Sequence, residues 1–404
     1  MSSNLRLFSC VHSLASMVVF SSFSACRSRS YNSSPKNTSS ATSNSDAAKE
    51  SPLVFSSIEP LKGITLNAPF AQIEANGKLP NSKEIIYQGN LLFKGEDTPV
   101  NIQVKGIGRA SFCKLPTLKI ESLNNEEIPF LGVKSINLTT PCFAREKETS
   151  SYSDVYEPGD VAWREWIVYR ILDILELPNF RTRLADLTYV DSDNKTEKTG
   201  RFFFIEKPKS VAKRFNGTIE DAEFPGPSVM GDPIGTGLNR QEILEQGMVE
   251  IFAGNWDWCF NRKFRSPEGF TPAACKYRNA KFIYVEGQKE TRIPLIHDFD
   301  LSLFARGASA KFKPFEESEI IDFPEENDNI HFRSQYSPMK RWLTKSFEKS
   351  EIILAIEHFI KVKSQVTELP NSIPLGAEGK KQIASQINQF YRIIETKQDK
   401  LLNK

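Results

Sequence analysis

Gly254-Asn255-Trp256-Asp257-Trp258 and Ile293-Pro294-Leu295-Ile296-His297-Asp298-Phe299-Asp300 are the two stretches with the strongest structural signal in this chain. Each places an acidic group at the end of an apolar run. A carboxylate at the mouth of a buried element is costly unless it is paired or binds a metal ion. Asp257, Asp298 and Asp300 therefore predict a site with hard oxygen ligands. Mg²⁺ prefers such ligands, and Mg²⁺ held by carboxylates usually indicates phosphate chemistry.

Periodicity divides the chain around these stretches into a strand-rich first part and a helix-rich last part. Alternating apolar residues predict strands at Glu84–Phe93, Pro99–Lys105, Thr117–Ile120, Gly132–Leu138, Arg183–Val190, Gly200–Ile205, Lys281–Val285 and Thr291–Ile296. Helical spacing predicts helices at Val161–Leu175, Arg240–Ala253 and two further C-terminal segments. We therefore expect an α+β, two-lobed, protein-kinase-like fold with a β-rich N-lobe, a helix-rich C-lobe and the carboxylates between them.

The N-terminus has the pattern of an export signal. Arg6 precedes the apolar run Leu14–Phe23, and small residues follow immediately before Cys26. We predict a signal peptide at 1–25 and a lipidated Cys26, with an ordinary secretory signal and an incidental cysteine as the alternative. Residues 26–51 are rich in Ser and Asn and predict a disordered tether, so the folded domain is expected at 52–404. The expected location is the cell envelope, with lipid in the membrane and the domain facing the periplasm or the exterior.

The charge balance argues against one class of partner. The chain has 52 Lys and Arg residues against 50 Asp and Glu residues, with no strong basic patch in the sequence. Nucleic-acid binding requires such a patch, so we do not expect a nucleic-acid partner.

Several segments, in order from about Val104 to Phe304, resemble the CotH-like kinases, the spore-coat protein H group of atypical secretory kinases. The segments are Val104-Lys105-Gly106 through Lys119, Phe130–Leu138, Arg164-Glu165 through Arg170, Gly200–Glu206, Gly254-Asn255-Trp256-Asp257 and Asp298-Phe299-Asp300. Lys105 of this chain stands where the family usually has Arg, and the chain has no His-Arg-Asp motif. The resemblance implies a kinase-like protein that uses ATP with Mg²⁺ or Mn²⁺ to phosphorylate a hydroxyl on a protein or small-molecule acceptor.

The resemblance also implies a role for each site residue. Asp257 would be the catalytic base or would orient the acceptor hydroxyl. Asp298 would bind a metal ion, and Asp300 would either bind the second ion or fix the loop. The partner Asn is either Asn261 or Asn279. We prefer Asn279 because it stands at the start of a predicted strand.

Five more residues would bind the nucleotide. Lys119 would hold its phosphates and Glu165 would orient that lysine. Lys105 and Arg109 would contact phosphate through the turn that they share, and Glu206 would lie near the adenine.

The cysteines fit an exported protein. Once Cys10 leaves with the signal peptide and Cys26 is lipidated, four cysteines remain, an even number. We predict the disulfides Cys113–Cys142 and Cys259–Cys275, since both close short loops. Four cysteines can also bind zinc, but the chain has no Cys-x-x-Cys spacing, which disfavours that alternative.

Two other functions stay open at this point. A catalytically inactive, pseudokinase-type envelope binding protein would keep the fold without turnover. A metal-dependent phosphoesterase is weaker, because such sites usually include several histidines and this chain has four in all.

Overall fold

The computed structural model describes residues 52–77, 79–106, 115–140, 160–219, 239–255, 258, 279–287, 292–300, 302–306, 335–336, 339–344 and 347–403. None of the described helices combines the length and the apolar character that crossing a membrane requires.

Seven strands in the first part of the domain close into a barrel. They are β1 (Leu61–Ala68), β2 (Ile86–Phe93), β3 (Glu96–Lys105), β4 (Thr117–Ser122), β5 (Ser135–Thr139), β6 (Thr182–Asp191) and β7 (Glu197–Ile205). Their order around the barrel is β1-β2-β3-β4-β5-β7-β6, and the parallel pair β1–β6 closes it. The predicted β-rich first half is confirmed, but the closed barrel and strand β1 were not predicted.

Beyond the barrel, the described residues with defined element bounds form a three-stranded sheet, nine α-helices and the short 3-10 helix Leu53–Phe55. The sheet has the order β10-β9-β8 and is built from β8 (Gly217–Ile219), β9 (Ala280–Val285) and β10 (Arg292–Ile296). The helices are α1 (Phe70–Asn76), α2 (Asp160–Ile174), α3 (Pro208–Arg214), α4 (Arg240–Ala253), α5 (Leu303–Arg306), α6 (Lys349–Lys361), α7 (Lys363–Ser372), α8 (Ala377–Thr396) and α9 (Gln398–Leu402). The predicted α+β composition, with a helix-rich last part, is therefore confirmed.

Strand β7 separates two hydrophobic cores. Successive side chains on a strand point to opposite faces. Phe202 and Phe204 lie in the core that fills the barrel, whereas Phe203 and Ile205 pack in a second core among the helices. Helix α2 lies on the outer face of β7, where Trp163 donates through Nε1 to the carbonyl of Phe202 at 3.2 Å. Strand β7 thus contributes side chains to both the barrel core and the helical core.

Asp191 stabilises the seam of the barrel at the end of β6. Its carboxylate accepts backbone N–H groups from Ala71 at 2.5 Å, Asp193 at 2.8 Å and Asn194 at 3.1 Å. Ala71 lies in the first turn of α1, so Asp191 also caps that helix from a distant strand. Burial alone would raise the pKa of this carboxyl, but the three N–H groups lower it below its ordinary value.

We predict that Asp191→Ala destabilises the fold by about 1–2 kcal/mol, the usual cost of losing a helix cap. A carboxylate with a lowered folded pKa stabilises the fold above its unfolded pKa, and that contribution is lost as pH falls through the folded pKa. The gap between wild type and variant should therefore close below about pH 4. Urea unfolding measured across pH checks both points, with the exposed Asp193→Ala as a control expected to change stability by less than about 0.5 kcal/mol. An unchanged gap at low pH would contradict the prediction.

Candidate functional site

The hairpin β9–β10 brings Asn279 and Asp298 together. Asn279 directly precedes β9, and Asp298 lies two residues after β10, whose last residue Ile296 pairs with Ala280. The backbone N–H of His297 donates to the carbonyl of Asn279 at 3.0 Å. The side-chain Nδ2 of Asn279 donates to the carbonyl of Asp298 at 3.5 Å. Two residues predicted to bind metal are therefore neighbours.

The end of helix α4 reaches the same point. Gly254 ends the helix in the left-handed conformation with φ 64°, and a Cβ there would come within 2.9 Å of Leu303. Both the backbone and the space therefore require glycine. Asn255 follows, fully buried, and its Nδ2 donates to Glu250 Oε2 at 2.8 Å and to the carbonyl of Asp298 at 3.5 Å. Two amide side chains thus converge on one carbonyl.

Asp298 and Asn279 both have a left-handed backbone, with φ 67° and 50°. This conformation is uncommon for residues other than glycine, although Asp and Asn tolerate it best. Such backbone strain concentrates at functional sites, because the surrounding structure must hold it. Asp298 is an exposed residue.

The hydroxyl of Tyr169, on α2, contacts the backbone of Asp298. It accepts the backbone N–H of Asp298 at 3.3 Å. Burial raises the pKa of Tyr169 well above its ordinary value, and the nearby carboxylates of Glu165, Asp298 and Glu250 raise it further. The side chain is therefore a neutral phenol at physiological pH.

His297, next to Asp298, packs against an aromatic ring. Its ring stacks on Phe180 with a centroid distance of 5.8 Å. Burial lowers the pKa of His297 to about 4, so the ring is neutral at pH 7.

The oxygen donors suit a Mg²⁺ or Mn²⁺ ion that is shared with a phosphate ligand. Asp298 offers an exposed carboxylate, Asp300 a buried one, and Asn279 an amide oxygen. In the part of the chain that the structure describes, no group of three or more His, Cys, Asp or Glu side chains could hold a metal ion. Mg²⁺ commonly takes only one or two protein carboxylates and completes its shell with phosphate oxygens and water. Asp298, Asp300 and Asn279 fit a site in which the protein shares the ion with phosphate oxygens and water.

Three lysines lie close enough to Lys207 to interact with it electrostatically, and we call the four the lysine cluster: Lys105 and Lys119 on barrel strands, and Lys207 and Lys209 at the start of α3. Lys119 on β4 donates to Glu121 at 2.6 Å and to Gln103 at 3.3 Å. Burial lowers the pKa of Lys207, and the positive charges of Lys119, Lys105 and Lys209 lower it further against the opposing effect of Glu121. Clustered cations of this kind suit an anionic ligand.

The sequence predicted Lys105 and Lys119 but missed Lys207 and Lys209. A signal was available, because Lys207-Pro208-Lys209 directly follows the strand that ends before Glu206. Strand register places Lys119 opposite Asn137 and Asn137 opposite Ile205, two residues before Lys207.

Two residues that were predicted to bind the nucleotide are buried and interact with other groups of the protein. Glu165 is 3% exposed on α2, near Tyr169. Glu206 is 4% exposed and accepts from Arg214 Nη2 at 2.9 Å and from the backbone N–H of Arg181 at 3.2 Å. The structure thus gives Glu206 a stabilising ion pair between β7 and α3. The nucleotide roles of both residues stay predictions.

The remaining predicted residues lie outside the described residues. They are Cys26, Arg109, Cys113, Cys142, Asp257, Cys259, Asn261 and Cys275. Residues that the sequence reasoning missed are Glu250, Asn255 and Tyr169. Glu250 carried a usable signal, since it is a lone acidic residue in the apolar run Met248–Ala253.

No protein-family model matches this chain, and no curated protein matches it significantly. Among solved structures, a similar chain is the Helicobacter pylori proinflammatory kinase CtkA, with 10% identity and a TM-score of 0.36. That likeness covers 70% of this chain and 94% of the other. Identity and TM-score at this level do not establish a shared fold, and they assign no site residue.

Proposed function

We propose that this protein is a kinase-like phosphotransferase that binds a nucleotide with Mg²⁺ or Mn²⁺ at Asp298. The observation that carries the proposal is the convergence of Asn279 and Asn255 on the left-handed, exposed Asp298. In this proposal the barrel is the N-lobe and the helical part is the C-lobe of a kinase-like molecule. The shared strand β7 and helix α2 support that arrangement.

Each group has a physical task in this proposal. Asp298, Asp300 and Asn279 would hold the metal ion, which neutralises phosphate charge when bound. Lys119 and Lys105, with Arg109, would attract the phosphates. Glu206 stands where the barrel meets α3, and the proposal places the adenine there.

Asp257 is the proposed residue that orients the acceptor hydroxyl. It lies two residues after Asn255, which contacts Glu250 and the carbonyl of Asp298. This short separation along the chain supports a place for Asp257 close to the metal ligands.

Calorimetric titration of the full-length chain with ATP tests the proposal. Saturable binding in the presence of Mg²⁺ or Mn²⁺, lost on adding a chelator, is the expected result. No heat of binding with either ion would reject the proposed function.

Lys207 provides a sharper test of the lysine cluster. We predict that Lys207→Ala weakens ATP binding about tenfold, because a half-buried cation near three others loses a charge-assisted contact. The effect should shrink at high salt, where charges are screened. Lys213→Ala on helix α3, which begins directly after Lys207, is a matched control, since Lys213 is exposed and should leave affinity unchanged. Equal affinities for the two variants would exclude the cluster from the nucleotide site.

A second candidate, an envelope binding protein of the pseudokinase type, is favoured by one specific contact. Lys119 forms its ion pair with Glu121 on its own strand at 2.6 Å, whereas an active kinase pairs the equivalent lysine with a helix glutamate. Phosphoryl transfer from labelled ATP separates the two functions. Transfer that disappears in Asp257→Asn supports the enzyme, and binding without transfer supports the second candidate.

We also propose export and lipid anchoring through Cys26, supported by the leader-like sequence. Membrane fractionation tests this, because Cys26→Ser should release the protein from the membrane fraction, and an unchanged distribution would reject the anchor. Mass mapping under non-reducing conditions should then find Cys113–Cys142 and Cys259–Cys275, and free thiols at all four positions would contradict export. The acceptor is a hydroxyl on a protein or small molecule.

A further inference from the structure

We propose that Tyr169 is the positioning residue of Asp298, holding the metal-binding carboxylate in its left-handed conformation. This inference deepens the proposed function and rests on it for the metal, but the contact itself does not depend on any ligand. Tyr169 is not a group that the reaction needs to touch. It acts through the backbone of Asp298.

The peptide groups of Asp298 are held from two directions. Its N–H donates to the Tyr169 hydroxyl at 3.3 Å, while its carbonyl accepts from Asn255 and Asn279, each at 3.5 Å. A left-handed Asp persists only when its surroundings determine the backbone. Both of the carbonyl contacts come from the helix-end and hairpin segments, whereas the Tyr169 hydroxyl ties the backbone of Asp298 to helix α2.

The ring of Tyr169 connects the site to the barrel. It packs against Phe203 on the outer face of β7 at a centroid distance of 5.8 Å and against Phe299 at 5.1 Å, edge to face. Tyr169 is 1% exposed and Phe299 is fully buried. A fully packed ring has few rotamers, so the hydroxyl is held in a fixed place. The position of the metal ligand is thereby set by the packing of α2 on the barrel.

Tyr169→Phe tests the inference, because it removes the hydroxyl and keeps the ring. We expect amide hydrogen exchange at Asp298 to rise about tenfold, and the affinity for Mn²⁺ with a non-hydrolysable ATP analogue to fall about tenfold. Unfolding in urea should change little by comparison. Tyr391→Phe is a matched control, since that tyrosine is also 1% exposed and its hydroxyl has no hydrogen-bond partner among the described residues. It should alter neither exchange at Asp298 nor affinity.

The readouts separate the possible failures. If wild type does not bind Mn²⁺ and the nucleotide, the proposed function fails, and amide exchange alone still decides the role of Tyr169. If Tyr169→Phe does not fold, exchange in the wild type decides, because an Asp298 amide that exchanges freely overturns the inference. Unchanged exchange and affinity in a folded Tyr169→Phe variant also overturn it.

Discussion

Asp298→Ala should weaken metal-dependent nucleotide binding at least about 100-fold, because loss of an outer-shell partner alone commonly costs 10–100-fold in metal affinity. Asp298 is the exposed carboxylate at which Asn255 and Asn279 converge, and Asp300 nearby is buried. Without Asp298, the described site would keep only a buried carboxylate and amide oxygens for the metal ion. Calorimetry with ATP and Mn²⁺ is the measurement.

Two further variants make this test specific. Asp298→Asn keeps a residue that tolerates the left-handed backbone and removes only the charge, so it should lose binding while retaining stability. Asp399→Ala removes an exposed carboxylate on α9 and should leave binding unchanged. Wild-type affinity in Asp298→Asn would show that this carboxylate does not bind the metal ion.

Local signals predicted several elements accurately, and the structure explains why. Helix α4 has the predicted bounds Arg240–Ala253 because both ends are set by adjacent residues. Asn239 caps the start by accepting from the backbone N–H groups of Gln241 and Glu242, and Gly254 ends the helix. The hairpin that joins Asn279 to Asp298 was also predictable from local sequence, because its two strands are close along the chain.

Closure of the barrel depends on contacts that no local pattern reveals. Strand β1 pairs in parallel with β6, so that Leu66 lies opposite Tyr189. Asp191 completes the seam by accepting from Ala71, 120 residues away. The sequence near β1 has no signal for a partner so distant, and a parallel pair has no connecting turn to predict it.

The residues of the candidate site also divide into those that local sequence predicts and those that depend on long-range contacts. Asn279 and Asp298 were predicted from one hairpin, whereas Tyr169 and Glu250 come from α2 and α4. These two helices reach the hairpin through tertiary packing, which sequence periodicity does not encode. Trp258, in the same segment as Gly254 and Asn255, is fully buried against Trp342 with a centroid distance of 5.1 Å.

The packing that supports the site centres on Phe252, two residues before Gly254. Its ring stacks on Phe390 of α8 at 4.1 Å and meets Phe304 of α5 edge to face at 5.5 Å. Its carbonyl also accepts from Gln335 at 2.9 Å and from Gln386 at 3.1 Å. Three helices therefore meet at one fully buried side chain.

We predict that Phe252→Ala destabilises the protein by about 3–5 kcal/mol, the range for removing a buried aromatic ring. Phe252→Leu should cost less, because it leaves a smaller cavity. Leu354→Ala, at a side chain that is 59% exposed on α6, should cost less than about 0.5 kcal/mol. Urea unfolding gives all three values. A cost near that of Leu354→Ala would mean that Phe252 does not link the helices, and that the position of Gly254 is set by α4 and the hairpin alone.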